Sequence, residues 1–361
     1  MRIVVAPDKF AGTLTAVEAA EAVSEGWRSV APDDELDLAP MSDGGPGFVD
    51  VLHEALGGDL LSVTVRGPRG TPTHATVLVV GDTAYVESAQ GCGLHLTEGE
   101  EAESASTYGV GELLAAAIGS GASTVVVGLG GSGTTDGGAG LLAALGATAD
   151  VPLDRGGAGL DGVTSVDVTV PRERIGDVRL IAASDVDNPL TGLFGAAKVF
   201  GPQKGITEER LPVVDGWLEE YAVALDRRMS LEPGAGAAGG LGYALLVLGA
   251  TREPGVALVA EAVGLAERAR AADLVLTGEG AFDFSSRAGK VPHGVAGIAE
   301  EALRPCVVVA GRVEVGSREM RALGIESAYS MVDLVGKERA FADPAAALAE
   351  LAGRVARTWS R

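Results

Sequence analysis

Short apolar runs that end in glycine or an acid, each followed by a helix-like stretch, recur along this chain. Residues 2–6 read as a buried strand that stops at Pro7-Asp8, and Thr15 then caps an amphipathic helix reaching about Val30. A second run, Glu35–Leu38, leads to Met41-Ser42-Asp43-Gly44-Gly45 and a helix through Leu56. Both loops fall at the carboxyl end of a strand, where open α/β sheets bind ligands.

From about Leu61 to Glu87 the pattern changes to Val- and Thr-rich strands with Gly/Pro punctuation, as in an antiparallel hairpin layer, and a second domain is expected to begin there. A helix at 107–118, a strand at 124–127 and a helix at 135–145 follow. The Ala/Gly-rich stretch 233–249 reads as a loop entering a helix, or equally as tight packing of helix on sheet. A strand at 274–276, a loop to Lys290, a helix at 291–302, a strand at 306–310 and a final helix at 344–357 restore the opening βα alternation. The simplest architecture is α/β: an open parallel-sheet, Rossmann/flavodoxin-like domain formed by both chain ends (1–60 and 270–361), with a second mixed α/β domain (61–269) inserted into it.

Composition supports this. With 361 residues the chain exceeds what one core usually organises, and 47% hydrophobic against 22% charged residues excludes a disordered protein. The 53 glycines cluster between apolar runs without a triplet repeat, as tight turns require and collagen does not. A net charge of −22 argues against a nucleic-acid partner and requires any bound anion to be met by local cations. Lys9, Lys204, Lys290 and Arg312, each in or beside a Gly-rich loop, are the candidates. Two cysteines far apart, Cys92 and Cys306, argue against a disulfide framework or a cysteine zinc site, and the four histidines show no HExxH spacing. No leader-like segment and no membrane-length apolar run is visible, so a soluble cytoplasmic protein is expected.

Four loops carry the candidate chemistry. In AASDVDNPLTGLFGAAKVFGPQKG (182–205), Asp185 and Asp187 end an apolar run and can hold a metal or take a proton, with Asn188 and Lys204 close in sequence. PMSDGGPG (40–47) and DLVLTGEGAFD (273–283) repeat that construction. GLGGSG (128–133) satisfies G-x-G-x-x-G, which brings an NAD-dependent dehydrogenase into consideration. The match is weak, because no strand-ending acid follows about 20 residues on and Asp136 at a helix start would repel a pyrophosphate. The loop reads better as a phosphate site, with backbone N–H groups and the Ser132, Thr134 and Thr135 hydroxyls donating and Asp136 facing a cation; alternatively Asp136 only caps the next helix. A Walker A loop is absent.

Seven segments occur together in one order: APDKFAGTLTA (6–16), PMSDGGPG, GLGGSGTTDGGAG (128–140), SDVDNPL (184–190), FGPQKG (200–205), PGAGAAGGLG (233–242) and TGEGAFD (277–283) with Gly289-Lys290. On these the chain resembles, nearly end to end, the bacterial-type glycerate kinase family, which is unrelated to P-loop kinases. The resemblance implies ATP-dependent phosphorylation of D-glycerate, usually to 2-phosphoglycerate rather than 3-phosphoglycerate, with Mg²⁺, in two α/β domains with the active site in the cleft between them. Three positions depart from the family pattern: Ala11 where lysine is common, Pro46 where glutamate is common, and Ala281 where a base often follows GEG. They keep a related small hydroxy acid open as the substrate, and a non-catalytic small-molecule sensor is a further alternative.

The resulting expectations are specific. Asp187, with Asp185 beside it, serves as base or metal ligand, and Lys9, Lys204 and Lys290 neutralise phosphate or substrate carboxylate. Asp43, Glu279 and Asp187 are the candidate Mg²⁺ ligands. Asp8 either binds or caps the first βα turn. Gly44-Gly45 or Gly131-Ser132 offers N–H groups to the glycerate carboxylate. Gly130, Thr134, Thr135, Asp136, Asn188, Gly278 and Asp283 complete the expected substrate and nucleotide set. Oligomeric state stays open, a homodimer included.

Overall fold

The computed structural model describes residues 1–10, 12–283 and 290–360. They cluster into two compact units: Met1–Asp43, Asp50–Leu56 and Val256–Arg361 form the first, Gly44–Val49 and Gly57–Gly255 the second. In chain order the strands are β1 (Arg2–Pro7), β2 (Glu35–Leu38), β3 (Asp59–Arg66), β4 (Pro72–Val80), β5 (Thr83–Glu87), β6 (Thr124–Gly128), β7 (Thr148–Ala149), β8 (Val166–Asp167), β9 (Arg179–Ala183), β10 (Thr251–Glu253), β11 (Leu274–Phe282), β12 (Cys306–Val313) and β13 (Ser327–Ser330).

The first unit holds a five-stranded sheet in the order β13-β12-β11-β1-β2, and every neighbouring pair is parallel. Such a sheet is covered on both faces, which is why IVVA, LVLT and VVVA run apolar without alternation. The chain moves from β1 to β2 on one side and from β11 through β12 to β13 on the other. The strand order therefore reverses between β1 and β11, the flavodoxin-like 2-1-3-4-5 arrangement, and ligands bind such sheets outside the carboxyl ends at that reversal.

Local chemistry sets the flanking helices. Helix Ala16–Arg28 starts at a capping box, in which Glu18 N donates to Thr15 Oγ1 (3.1 Å) and Thr15 N to Glu18 Oε2 (2.8 Å). Its buried face carries Trp27, whose Nε1 donates to Asp34 Oδ2 at 2.9 Å. Gly26 lets the terminal helix Pro344–Trp359 lie close, since a Cβ there would stand 1.8 Å from the Ala349 carbonyl oxygen.

Two expected boundaries move. β11 does not stop at Leu276 but continues to Phe282, so Gly278-Glu279-Gly280 belongs to a strand and not a loop. Pairing with β12 carries it on, Glu279 opposite Ala310 and Phe282 opposite Val313, and the backbones approach at Gly311, where a Cβ would lie 2.4 Å from Gly280 O. The helix expected at 135–145 is Ala139–Ala144, because Gly137 (φ 64°) and Gly138 (φ 74°) are left-handed and turn the chain before it can coil.

The second unit is built on a six-stranded sheet, β10-β9-β6-β5-β4-β3. β3, β4 and β5 are antiparallel, as the Val/Thr-rich hairpin pattern predicts, whereas β5, β6, β9 and β10 run parallel. β7 and β8 pair separately. The parallel sheet from both chain ends and the mixed sheet from its middle make the protein α/β, as expected.

Candidate active site

In the first unit, charged groups gather at the carboxyl ends of β1, β2 and β11. Asp8 leaves β1 nearly buried, its N–H donating to Gly278 O (2.8 Å) and its Oδ1 accepting from Lys9 N (2.8 Å). Lys9 Nζ stands 3.1 Å from Asp43 Oδ1 and 3.4 Å from Asp8 Oδ1. Glu279, buried in β11, has Lys290 Nζ 3.7 Å from its Oε2. Lys290 is also the N-cap residue of helix Val291–Glu301. These groups line one cavity of about 720 Å³, together with Arg312, Lys337 and the uncharged Ala281.

The electrostatics follow from burial and proximity. Burial pushes the Asp8 carboxyl up to about 6, against the pull of Lys9, and the neighbouring Asp43 charge adds to the rise. Burial alone would lower Lys9, but Asp43 and Asp8 outweigh it and hold the ammonium above the ordinary lysine value. Lys9 is thus a permanent cation between two carboxylates.

In the second unit two glycine loops and the end of β9 meet by backbone contact. Gly44 (φ +92°) faces the end of β9 so closely that a Cβ would be 2.8 Å from Ala183 O. Leu129 N donates to that same oxygen at 2.9 Å. A Cβ on Gly130 would stand 2.8 Å from Gly45 Cα, and one on Gly131 2.7 Å from Pro46 Cδ. PMSDGGPG, GLGGSG and the start of SDVDNP, separated in sequence, therefore share one place at the ends of β6 and β9. Glu87, at the end of β5, fixes the first loop by accepting from Gly47 N (3.1 Å) and Val49 N (3.3 Å).

Beyond β9, Asp187 has its side chain 78% exposed and its Oδ1 2.5 Å from Arg252 Nη1. Arg252 Nε donates to Ser184 O at 3.1 Å, so this one side chain links the start of the loop to its acid. Asn188 Nδ2 donates to Phe194 O (2.8 Å), which folds the following turn. Asp185 sits between Ser184 and Asp187 at intermediate exposure.

Residues 3–360 match the sequence profile of the Glycerate kinase family. The chain belongs to the glycerate kinase family. It is 40% identical to the glycerate kinase of Bacillus subtilis (92% of this chain, 90% of that one) and 37% identical to the glycerate 2-kinase of Escherichia coli K12 (93% and 92%). A crystal structure of a chain provisionally assigned as glycerate kinase 2 of Salmonella typhimurium LT2 matches with a TM-score of 0.79 and 35% identity, covering 99% of this chain and 98% of that one. As a glycerate kinase family member the chain is a kinase acting on small molecules. Among the described residues no helix is long and apolar enough to cross a membrane.

The kinase gathers Asp8, Lys9, Asp43, Glu279 and Lys290 in one cavity of the first unit, while Gly44, Gly45, Gly130 and Gly131 meet at the strand ends of the second, and Asp185, Asp187 and Asn188 follow in the loop after β9. Other expected residues have internal work. Asp136 is fully buried and turned inward: Thr107 N (2.8 Å), Thr107 Oγ1 (2.8 Å), Gly138 N (3.0 Å) and Gly140 N (3.2 Å) all donate to it, so it organises two helix starts and does not face a cation. Lys204 is 1% exposed, its Nζ donating to Ser132 Oγ (3.0 Å) and Thr134 O (2.6 Å), and burial lowers it to about 8. Thr134 and Thr135 are fully buried. Gly278 serves strand packing, for a Cβ there would meet Val309 O at 2.3 Å, and Asp283 directly follows β11. Ala11 and Gly289 lie outside the described residues.

Sequence reasoning passes over Glu87, Arg252 and Lys337. The single signal for Arg252 is a lone cation in TREPG after a glycine-rich helix, which is no motif by itself. Among the described residues no group of three or more His, Cys, Asp or Glu is arranged to cage a metal. Asp8, Asp43 and Glu279, each paired with a lysine, are the cavity carboxylates that could serve a Mg²⁺, an ion that needs only one or two protein carboxylates.

Proposed function

We propose that this kinase transfers the terminal phosphoryl group of ATP to D-glycerate, on the 2-hydroxyl. The observation that carries the reading is Lys9 held between Asp8 and Asp43 in the cavity that also takes in Lys290 and Glu279. Phosphoryl transfer demands little covalent chemistry from a protein and much positioning of charge. Lys9 and Lys290 neutralise phosphate oxygens, acting from fixed positions that cost no reorganisation as charge shifts. Asp43 and Glu279 are the residues that would hold Mg²⁺, which supplies charge neutralisation on the phosphates when bound. Asp187 takes the proton of the substrate hydroxyl, and Arg252 orients its carboxylate. N–H groups of Gly44-Gly45 or Gly131-Ser132 receive the glycerate carboxylate.

The name of the Escherichia coli relative, glycerate 2-kinase, supports the 2-position. Ala281, which lines the cavity without a charge, and Pro46, packed on Gly131, favour testing other small hydroxy acids beside glycerate. Phosphorus NMR of the product formed from ATP and D-glycerate tests the whole reading. A 2-phosphoglycerate signal is expected; 3-phosphoglycerate would overturn the position, and no phosphorylated acid would overturn the substrate.

A further inference from the structure

We infer that a cleft beside Arg252 is an effector site for a free α-amino acid with an apolar side chain, whose carboxylate competes with Asp187 for the Arg252 guanidinium. Binding stands on the cleft alone, whereas the effect on rate rests on the reading of Asp187 as the base. The cleft, of about 620 Å³, lies wholly within the second unit and shares no residue with the cavity around Lys9.

Its lining divides by chemistry. Met229 and Leu246 are half-buried and pack on the core of the second unit, Ala250 is buried, and Pro233 and Pro254 complete the apolar wall. The charged residues in it are Glu232 and Arg252, of opposite sign. Among the described residues Arg252 pairs with Asp187 and not with Glu232, so the cleft offers a separated acid and base beside an apolar wall. An α-amino acid has the matching pattern: a carboxylate for Arg252, an ammonium for Glu232 and a hydrocarbon side chain for the wall. Being neutral overall, such a zwitterion also approaches a protein of net charge −22 without the repulsion an anion meets.

Contacts tie the cleft to the catalytic loop. The stem of Arg252 lies across Gly234 (φ +87°), where a Cβ would stand 2.6 Å from Arg252 Cδ and 3.3 Å from Val186 O. Two residues on, Gly236 N donates to Asn188 O at 2.8 Å. The turn that begins at Glu232 therefore touches the residues on both sides of Asp187. Arg252 already uses Nη1 for Asp187 and Nε for Ser184 O. A carboxylate held by two parallel N–H bonds takes either the Nη1–Nη2 edge or the Nε–Nη2 edge, so one of those bonds must give way and Asp187 loses its fixed orientation.

Calorimetric titration of the intact protein with L-leucine, and steady-state kinetics of glycerate phosphorylation with L-leucine present, test the inference. Binding is expected, with kcat falling about fivefold or more at saturation and the KM for ATP unchanged. Glu232→Gln alters an exposed side chain outside the phosphoryl-transfer machinery; it should keep the wild-type rate and bind L-leucine about tenfold more weakly. The half-ligands 4-methylpentanoate and 3-methylbutylamine, each carrying one of the two charges, should lose about tenfold as well. Coupling is reciprocal, so Asp187→Asn should bind L-leucine about fivefold more tightly. No heat from L-leucine, an unchanged affinity in Glu232→Gln, or an equal affinity for either half-ligand would overturn the site. Wild-type kcat in Asp187→Asn would remove the base reading and leave the amino-acid site standing. A collapsed kcat in Asp187→Asn, with wild-type kcat untouched by saturating L-leucine, would instead overturn the competition for Arg252 and leave the base reading.

Discussion

Lys9 is the residue on which the proposed chemistry turns, because two carboxylates keep it charged in a protein of net charge −22. Lys9→Met should lower kcat/KM for ATP by about two to three orders of magnitude, the usual cost of one preorganised charge, while leaving the far-UV spectrum intact. Steady-state kinetics decide it. Asp8 supplies a second test. Its native carboxyl keeps its proton up to about 6, against an ordinary 3.8, so the folded state binds more protons between those values and this group makes stability fall as pH rises through the window. The whole effect is worth at most roughly 3 kcal/mol. Asp8→Asn should flatten the change in denaturation midpoint between pH 4 and pH 6; an unaltered slope would count against buried Asp8 as its source. Lys204 works the other way. A buried ammonium lowered to about 8, from 10.5, makes stability rise from pH 8 to 10.5, and Lys204→Met should remove that rise in urea melts.

At the scale of elements, glycine turns decide where loops can meet. Gly44→Ala would put a Cβ into a left-handed position 2.8 Å from Ala183 O and should destabilise the protein by ~2 kcal/mol or more, read from chemical denaturation. Much of this layer was legible in sequence. Thr15 with Glu18 marked a helix start, and Glu35–Leu38 was bounded correctly, because caps and short apolar runs are local signals. The misread elements failed for a tertiary reason. Gly and Glu in TGEG looked like a turn, yet a parallel partner and the close approach at Gly311 carry the strand on to Phe282. Asp136, which sequence leaves either facing a cation or capping the next helix, accepts from Gly138 N and Gly140 N at that helix start, and its tie to Thr107, 29 residues upstream, is one that spacing does not show.

At the scale of the molecule, the acidic surplus is a destabilising self-repulsion that salt screens. Raising NaCl from 10 to 300 mM should raise the thermal midpoint measured by calorimetry, and a fall would show that specific ion pairs, such as Arg252 with Asp187, outweigh the net charge. The chain alone determined the α/β class, the parallel strands β1, β2, β6, β11 and β12 but not β10 or β13, and the motifs that mark a glycerate kinase, since apolar runs and glycine-acid loops are written in consecutive residues. Only the tertiary structure decided which loops share a strand end, that Arg252 and not a sequence neighbour holds Asp187, and that Lys9 lies between two acids 35 residues apart. Those pairings depend on strand order and register, and one-dimensional spacing carries neither.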